Sequence, residues 1–330
     1  EIRAEYKNIS PEDIKLIDPC MGSGHILVYA FDVLMQIYLS QGYTERDAAS
    51  LIIKKNIYGL DIDKRAYQLS YFALMMKGRA SDRRFLTRGV KPNICHFQDI
   101  SKIDTKFLSG ELQAFVKQFE NAEEIGSLLE INIENSEKLD AELSNFTNDL
   151  FISQQQLEHL MILQKILSQK YDVVVTNPPY MGGSGMNAKL SDFVKKNYPD
   201  SKSDLFAVFI ERGNGLVNQN GYNCMVTMQS WMFLSSFEKM REKLLSTKTI
   251  TNLMHMENMV MGIAFGTAVT ILKNIHIKDF KGTYNQIKMS DIAEDKPKVF
   301  PNKENRFSQV SAENFSKIPG SPVAYWVSEK

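Results

Sequence analysis

Residues 14–42 read IKLIDPCMGSGHILVYAFDVLMQIYLSQG, and three local patterns follow one another in them. IKLID at 14–18 is a short apolar run ending in an acid, which reads as a strand. Gly22 and Gly24 then punctuate a tight turn. From His25 the apolar residues recur at helical spacing until Gly42, the kind of residue that ends a helix. Strand, small-residue turn and helix form one βα unit, and the pattern repeats. THR44 to the next strand is helical again: residues 44–55 predict a helix with Thr44 as N-cap. IYGLDID at 57–63 predicts a second strand, with Asp63 capping a helix over 64–78. NICHFQDI at 93–100 predicts a third strand, again closed by an acid. Strands alternating with helices predict an α/β chain built on a doubly wound, mainly parallel sheet.

Further along, YDVVVTNPPY at 171–180 carries three consecutive valines, the mark of a strand buried on both faces. It stops at two prolines that cannot continue a ladder. GYNCMVTMQSW at 221–231 and AVTILKN at 268–274 predict later strands. Helices are expected over 191–218 and 235–246. Residues 100–171 contain no proline and turn Leu-, Gln- and Glu-rich, which predicts a helical insertion over about 101–170. From 278 onward periodicity weakens, so 276–330 is expected to be a linker or the start of a different module.

The 330 residues are 43% hydrophobic, enough for a substantial core. Lys plus Arg and Asp plus Glu both number 39, so bulk charge announces no nucleic-acid partner and any such surface must be local. Cys20, Cys95 and Cys224 form no CxxC pair, which argues against a disulfide scaffold or a cysteine zinc site and suits a cytoplasmic protein. No apolar run is long enough to span a bilayer. The chain begins at Glu1 and reads as a piece of a longer protein.

Asp18, Asp61 and Asp99 each fall at the carboxyl end of a predicted strand, the edge where ligands bind in open parallel sheets. Singly, each is as well read as a cap or a solvated loop acid. Together, with small residues Gly22, Ser23 and Gly24 letting a ligand approach the backbone, they describe a site for an amino-acid-bearing adenosine. Asp18 would take the amino group, Asp61 the ribose hydroxyls and Asp99 the purine amine. S-adenosylmethionine is such a molecule. The spacing is not GxGxxG, so the dinucleotide fingerprint fails.

Methyl transfer needs a nucleophile in line with a sulfonium. An exocyclic base amine is a poor one, because its lone pair is delocalised into the ring. Acceptors held on its N–H bonds favour a localised lone pair. The Asn177 side-chain oxygen and the Pro178 carbonyl are suited to this, Pro178 and Pro179 make the geometry rigid, and the face of Tyr180 can stack an unstacked base. The alternative is an ordinary proline turn.

These segments resemble the amino-group DNA methyltransferases of the adenine-N6 type. DPCMGSGHIL is similar to their first motif, YGLDID to the second, FQDI to the third and NPPY to the catalytic fourth, in the gamma order. YPDSKSDLFAVFIERG and MVTMQSWMFLSSFEKMREKLL resemble more narrowly the methyltransferases of BREX-type phage-defence systems, the PglX group. The resemblance covers about residues 10–275, and it implies that 1–275 is the catalytic domain and 276–330 a linker or the start of a downstream DNA-recognition module. It implies a class I, Rossmann-like fold and S-adenosylmethionine contacts from Asp18, Pro19, Gly22, Ser23, Gly24, Asp61, Ile62, Asp99 and Ile100. It also implies double-stranded DNA with a flipped adenine as substrate, and the company of other defence proteins. A second aromatic for the flipped base is sought in MVMGIAFGTAVTILKN. Phe265 is the candidate, with plain core packing as the alternative. A further cofactor-contacting segment that the family carries ahead of its first motif is not found here.

Cys20 lies in the cofactor turn and not after the fourth strand, so it is no cytosine-C5 nucleophile. His25, His96, His159, His255 and His276 lack metal spacing and are expected on surfaces. The basic stretch 77–91 could touch phosphates, or could be a solvated loop. The same chemistry on cytosine N4, an RNA base or a protein glutamine, and a non-catalytic DNA-binding role, stay as alternatives.

Overall fold

β1 (Leu16–Asp18) begins the first of two units into which the chain divides, Glu1–Tyr171 and Asp172–Lys330. The computed structural model describes residues 9–100, 110–131, 154–294 and 296–327. After β1 come α1 (His25–Ser40), α2 (Glu45–Leu51), a wider helical turn over Ile52–Asn56, β2 (Ile57–Asp61), α3 (Lys64–Ser81) and β3 (Asn93–His96). The strands pair in parallel in the order β1-β2-β3, with Leu16 opposite Ile57 and Asp61 opposite His96. Leu27, Phe31, Leu34, Ile52, Ile53, Ile57, Leu74 and Phe85 make one buried core cluster. Asn56 is buried within it. Its amide donates to the Pro11 and Ile14 carbonyls at 2.7 Å and accepts from the Tyr38 hydroxyl, so the burial leaves no orphaned group. Thr44 caps α2 through the Asp47 N–H, and Asp63 caps α3 through Arg65 and Ala66, as expected.

The described part of the expected insertion contains helices and turns. α4 (Gly110–Lys117), α5 (Ala122–Ile125), a turn at Gly126–Leu128 and α6 (Gln154–Ser168) account for it. Its parts at 101–109 and 132–153 lie outside the described residues.

In the second unit the strands run in the order β4-β5-β7-β6-β8-β11. These are β4 (Tyr171–Thr176), β5 (Val217–Met228), β6 (Thr249–Met256), β7 (Thr267–Lys273), β8 (Lys281–Ile287) and β11 (Arg306–Ser311). β9 (Ile292–Ala293) and β10 (Lys296–Pro297) form a small separate ribbon. β7 is antiparallel to both β5 and β6, β8 is parallel to β6, and β11 is antiparallel to β8. The helices are α7 (Ala188–Asn197), α8 (Leu205–Leu216) and α9 (Glu238–Thr247).

Several expectations need correction. Val174 is buried but Val173 and Val175 are half-buried, so the valine run alternates like a strand with unequal faces. Residues 191–218 hold two helices, with Pro199 disfavouring helical geometry at Tyr198 between them. β6 was not foreseen. Residues 276–330 supply β8, β11 and the buried Tyr284, Phe315, Val323 and Tyr325 to this unit. Arg241 of α9 is buried and reaches that segment, donating to the Ser321 carbonyl at 2.9 Å and to Gly320, Trp231 and Leu234 carbonyls. Four carbonyl dipoles stand in for a carboxylate partner.

Candidate functional site

In the first unit, the turn after β1 is built around two left-handed glycines. Gly22 has φ 53°, and a Cβ there would meet nothing within 4 Å. Gly24 has φ 85° and begins α1, and a Cβ there would lie 2.9 Å from Ser70 Oγ and 3.1 Å from Ser70 Cα. One glycine leaves open space and the other admits a close helix. The Met21 N–H donates to the Leu60 carbonyl at 3.0 Å, which fastens the turn across to β2.

Asp61 closes β2, and its carboxylate organises the rim. Oδ2 accepts from the Gly22 N–H at 2.9 Å, and Oδ1 accepts from the Asp63 N–H at 2.8 Å. A carboxylate has about four acceptor positions, so two remain for a diol. Asp18 is buried at the end of β1, where Oδ1 accepts from the Cys20 N–H at 3.0 Å. Pro19 and Ser23 lie in the same turn. Ile62 is exposed beside Asp61. β3 ends at His96, earlier than expected, so Asp99 and Ile100 follow it in irregular backbone instead of ending the strand. The Phe97 N–H still reaches the Asp61 carbonyl at 3.2 Å.

Two residues of this cradle escape sequence reading. Ser70 of α3 is buried and donates to the Gly22 carbonyl at 2.7 Å, where a lone serine inside a helix gives no signal. Ser127, in the first half of the insertion, donates to the Pro19 carbonyl at 2.7 Å. Its neighbour Gly126 has φ 61°, and a Cβ there would come 2.7 Å from Ile62 Cγ2. The insertion thus closes onto the rim of the turn, which its composition alone does not reveal.

In the second unit, the motif that ends β4 is held at both of its ends. The Tyr180 hydroxyl donates to Asn177 Oδ1 at 2.9 Å and lies 3.2 Å from the Val226 carbonyl of β5. Asn177 and Pro179 are exposed, Pro178 is buried and Tyr180 is half-buried. Burial pushes the Tyr180 phenol above its ordinary range, which keeps it a neutral donor. Phe265 packs edge-on to Tyr180, with ring centroids 5.6 Å apart and planes at 81°, and Phe206 does so at 6.2 Å. Phe265 is half-buried and is brought to the motif, not lost in core. The hydroxyl is engaged as well as the ring.

Asp204 was not foreseen. Its Oδ1 accepts from the Met181 N–H at 3.0 Å and from the Phe206 N–H at 3.3 Å, joining the loop after Tyr180 to the start of α8. Leu205 N–H donates back to the Met181 carbonyl at 3.0 Å. Burial raises the Asp204 carboxyl above its ordinary value, against the backbone hydrogen bonds that favour its charge.

His96 and His255 are buried, contrary to the surface expectation. His96 lies against Tyr67 and His159, with ring centroids 4.8 and 5.0 Å away, and burial pushes its pKa down to about 4. Among the described residues no cluster of three His, Cys, Asp or Glu side chains could hold a metal. The basic stretch 77–91 is partly neutralised. Lys77 pairs with Asp32 at 2.7 Å, and Arg88 pairs with Asp82. Among the described residues no helix is long and apolar enough to cross a membrane, and the three cysteines are free thiols.

The model of the Eco57I restriction-modification methylase family matches residues 55–260. The chain is 40% identical to the adenine-specific methyltransferase BrxX of Escherichia coli O9:H4 (strain HS) over 97% of its length. It is also 40% identical to the adenine-specific methyltransferase PglX of Lacticaseibacillus casei (strain Zhang), over 99% of its length. It spans 30% of either relative. Among solved structures, the Type ISP restriction-modification enzyme LlaBIII bound to DNA matches 86% of this chain and 18% of its own, with TM-score 0.55 and 14% identity. A nuclease-deletion mutant of LlaGI, of the same type, matches 83% of this chain and 22% of its own, with TM-score 0.53 and 14% identity. At these identities the likeness establishes the fold.

Proposed function

Since the chain belongs to the Eco57I restriction-modification methylase family, we propose that it methylates the N6 amine of an adenine extruded from double-stranded DNA, using S-adenosylmethionine. The work would belong to phage defence or restriction-modification. The observation that carries this reading is the coupling of the Tyr180 hydroxyl to Asn177 beside the Phe265 ring. An amide acceptor and an aromatic pair are the two things an unstacked base amine requires.

The first unit's residues fit the cofactor. Open space at Gly22, a carboxylate with spare acceptor positions at Asp61 and the exposed Ile62 beside it suit a small ligand carrying a diol and an aromatic base. On this reading Asp61 takes the ribose hydroxyls and Asp18 the amino group. Pro19, Ser23 and Gly24 shape the turn, and Ile62, Asp99 and Ile100 hold the adenine. When bound, the cofactor supplies an electrophilic methyl group on a sulfonium.

In the second unit, Tyr180 and Phe265 grip the target base, each stacked base being worth roughly 1–3 kcal/mol. Asn177 Oδ1 and the Pro178 carbonyl accept the two amine N–H bonds. As the nitrogen took the methyl group, the sulfur–methyl bond would break to leave a neutral thioether, and the nitrogen would shed the proton of one N–H bond. An acceptor already aligned on that bond draws out the developing positive charge without reorganising. The prolines keep both acceptors fixed, and the proton leaves to water, since a neutral carboxamide is too weak a base to take it.

Base-resolved methylation mapping of DNA from cells carrying the full-length protein tests this. N6-methyladenine at a defined site should vanish with Asn177→Ala. N4-methylcytosine in its place, or a methylated protein glutamine with unmarked DNA, would show that another amine is the substrate.

A further inference from the structure

We infer that Gln229 is a positioning residue for the target base, fixing the loop that presents Phe265 to Tyr180. This rests on the methyl-transfer reading and goes further, since it names what holds the aromatic pair together. Phe265 sits on the connection between β6 and β7, residues 257–266. That connection has no regular structure. It passes through left-handed backbone at Met259 (φ 68°) and Gly262 (φ 71°), and its tip exposes Met259 and Met261, each more than half accessible. The turn's own hydrogen bonds, such as Gly262 N–H to the Met259 carbonyl at 2.9 Å, shape the tip but do not join it to the sheet.

The Glu257 N–H ties the first loop residue to the Ile287 carbonyl of β8 at 3.0 Å, and Gln229, directly after β5, attaches the loop at both of its ends. Its N–H donates to the Gly266 carbonyl at 3.0 Å, next to Phe265. Its carboxamide lies flat over Gly266, where an added Cβ would be 2.5 Å from Oε1 and 2.6 Å from Nε2. Nε2 donates to Asn258 Oδ1 at 3.2 Å, near the start of the loop. Oε1 meets His255 Nε2 on β6. A carboxamide oxygen only accepts, so His255 carries its proton on Nε2. Its Nδ1 then accepts from the Tyr325 hydroxyl, 2.9 Å away. One residue therefore fastens 255 and 258 through its side chain and 266 through its backbone N–H and the packed amide, and a histidine itself fixed from behind sets the amide's orientation. Leucine at 229 would keep the volume and lose every side-chain bond. Alanine at Gly266 would expel the amide while leaving Gln229 in the sequence.

The test uses the full-length protein and a duplex with 2-aminopurine at the mapped target position. Extrusion of that base raises its fluorescence. Gln229→Leu and Gly266→Ala should each reduce base capture by about tenfold to a hundredfold, the range expected if one stacking partner is misplaced. S-adenosylmethionine affinity should stay within about twofold. The double variant should be no worse than the weaker single one, because both break the same contact. Gln229→Glu keeps the acceptor toward His255, and should recover most of the capture. Capture near wild type in both Gln229→Leu and Gly266→Ala would overturn the inference. So would a parallel fall in cofactor affinity and melting temperature that Gln229→Glu does not relieve, since that pattern marks a merely structural residue. If the wild-type protein leaves no N6-methyladenine, the methyl-transfer reading fails instead. Product identity reveals that outcome independently of these variants.

Discussion

At Tyr180 the ring and the hydroxyl have separable duties. The ring faces Phe265, and the hydroxyl holds Asn177 Oδ1 at 2.9 Å. Tyr180→Phe keeps the stacking surface and releases the amide. A neutral hydrogen bond contributes about 1 kcal/mol, so single-turnover methyl transfer should slow by about fivefold while capture of the base holds. Tyr180→Ala should lose capture as well. Asn177→Ala should cost about a hundredfold or more in the chemical step, by analogy with removing one preorganised oxyanion donor. Equal rates for Tyr180→Phe and wild type would mean that the amide is oriented by something else. Asp61→Ala removes the carboxylate that would take the ribose and that also ties Gly22 to Asp63. Calorimetric titration should show S-adenosylmethionine affinity falling by about thirtyfold, which corresponds to a charged hydrogen bond of about 2 kcal/mol. Unchanged affinity in a folded variant would remove Asp61 from the cradle. These residues were legible because each combines a chemically distinctive side chain with a strand terminus. Ser70, Ser127 and Gln229 were not, because their roles come from partners remote in sequence: Gly22, Pro19 and His255.

The βα turn separates two glycines that look alike in sequence. Both have positive φ, and replacing either with alanine incurs roughly 1–2 kcal/mol of left-handed strain. Only at Gly24 does the new Cβ also strike Ser70, at backbone Cα as well as Oγ, so α1 and α3 must part. Gly24→Ala should therefore lower the melting temperature clearly more than Gly22→Ala, while Gly22→Ala should act chiefly on cofactor affinity, by narrowing the open space. Matching melting temperatures for the two would contradict the close helix approach. The element boundaries follow similar physics. The end of α7 was readable, because Pro199 dictates it. β6 was missed, because its polar Asn252 and His255 weaken the apolar signal that Thr249, Ile250 and Thr251 begin. β8 and β11 had little to show. Their sequences KGTYNQI and RFSQVS alternate with few large apolar side chains, and their place comes from pairing with β6 and with each other.

For the whole molecule, the decisive quantity is charge. Lys plus Arg equals Asp plus Glu at 39 each, so no long-range field draws the chain to DNA. Local attraction must come from patches, and the richest stretch, 77–91, already pairs Lys77 with Asp32 and Arg88 with Asp82. A contact that neutralises about two to four phosphates gives a plot of log affinity against log salt with slope about −2 to −4. The chain should accordingly bind duplex DNA weakly, with a dissociation constant of about 10⁻⁵ M or weaker near physiological salt, and with no preference between unrelated sequences. Fluorescence anisotropy over a salt series, repeated with two unrelated duplexes, measures both quantities. S-adenosylmethionine should leave the slope unchanged, since the cradle built on Gly22 and Asp61 adds no phosphate contact. A slope near −8 would reveal a basic face that the equal charge totals conceal. A nuclease footprint confined to one sequence would place base-reading side chains within residues 1–330. The two results are independent, because phosphate contacts set the slope and base-edge contacts set the footprint.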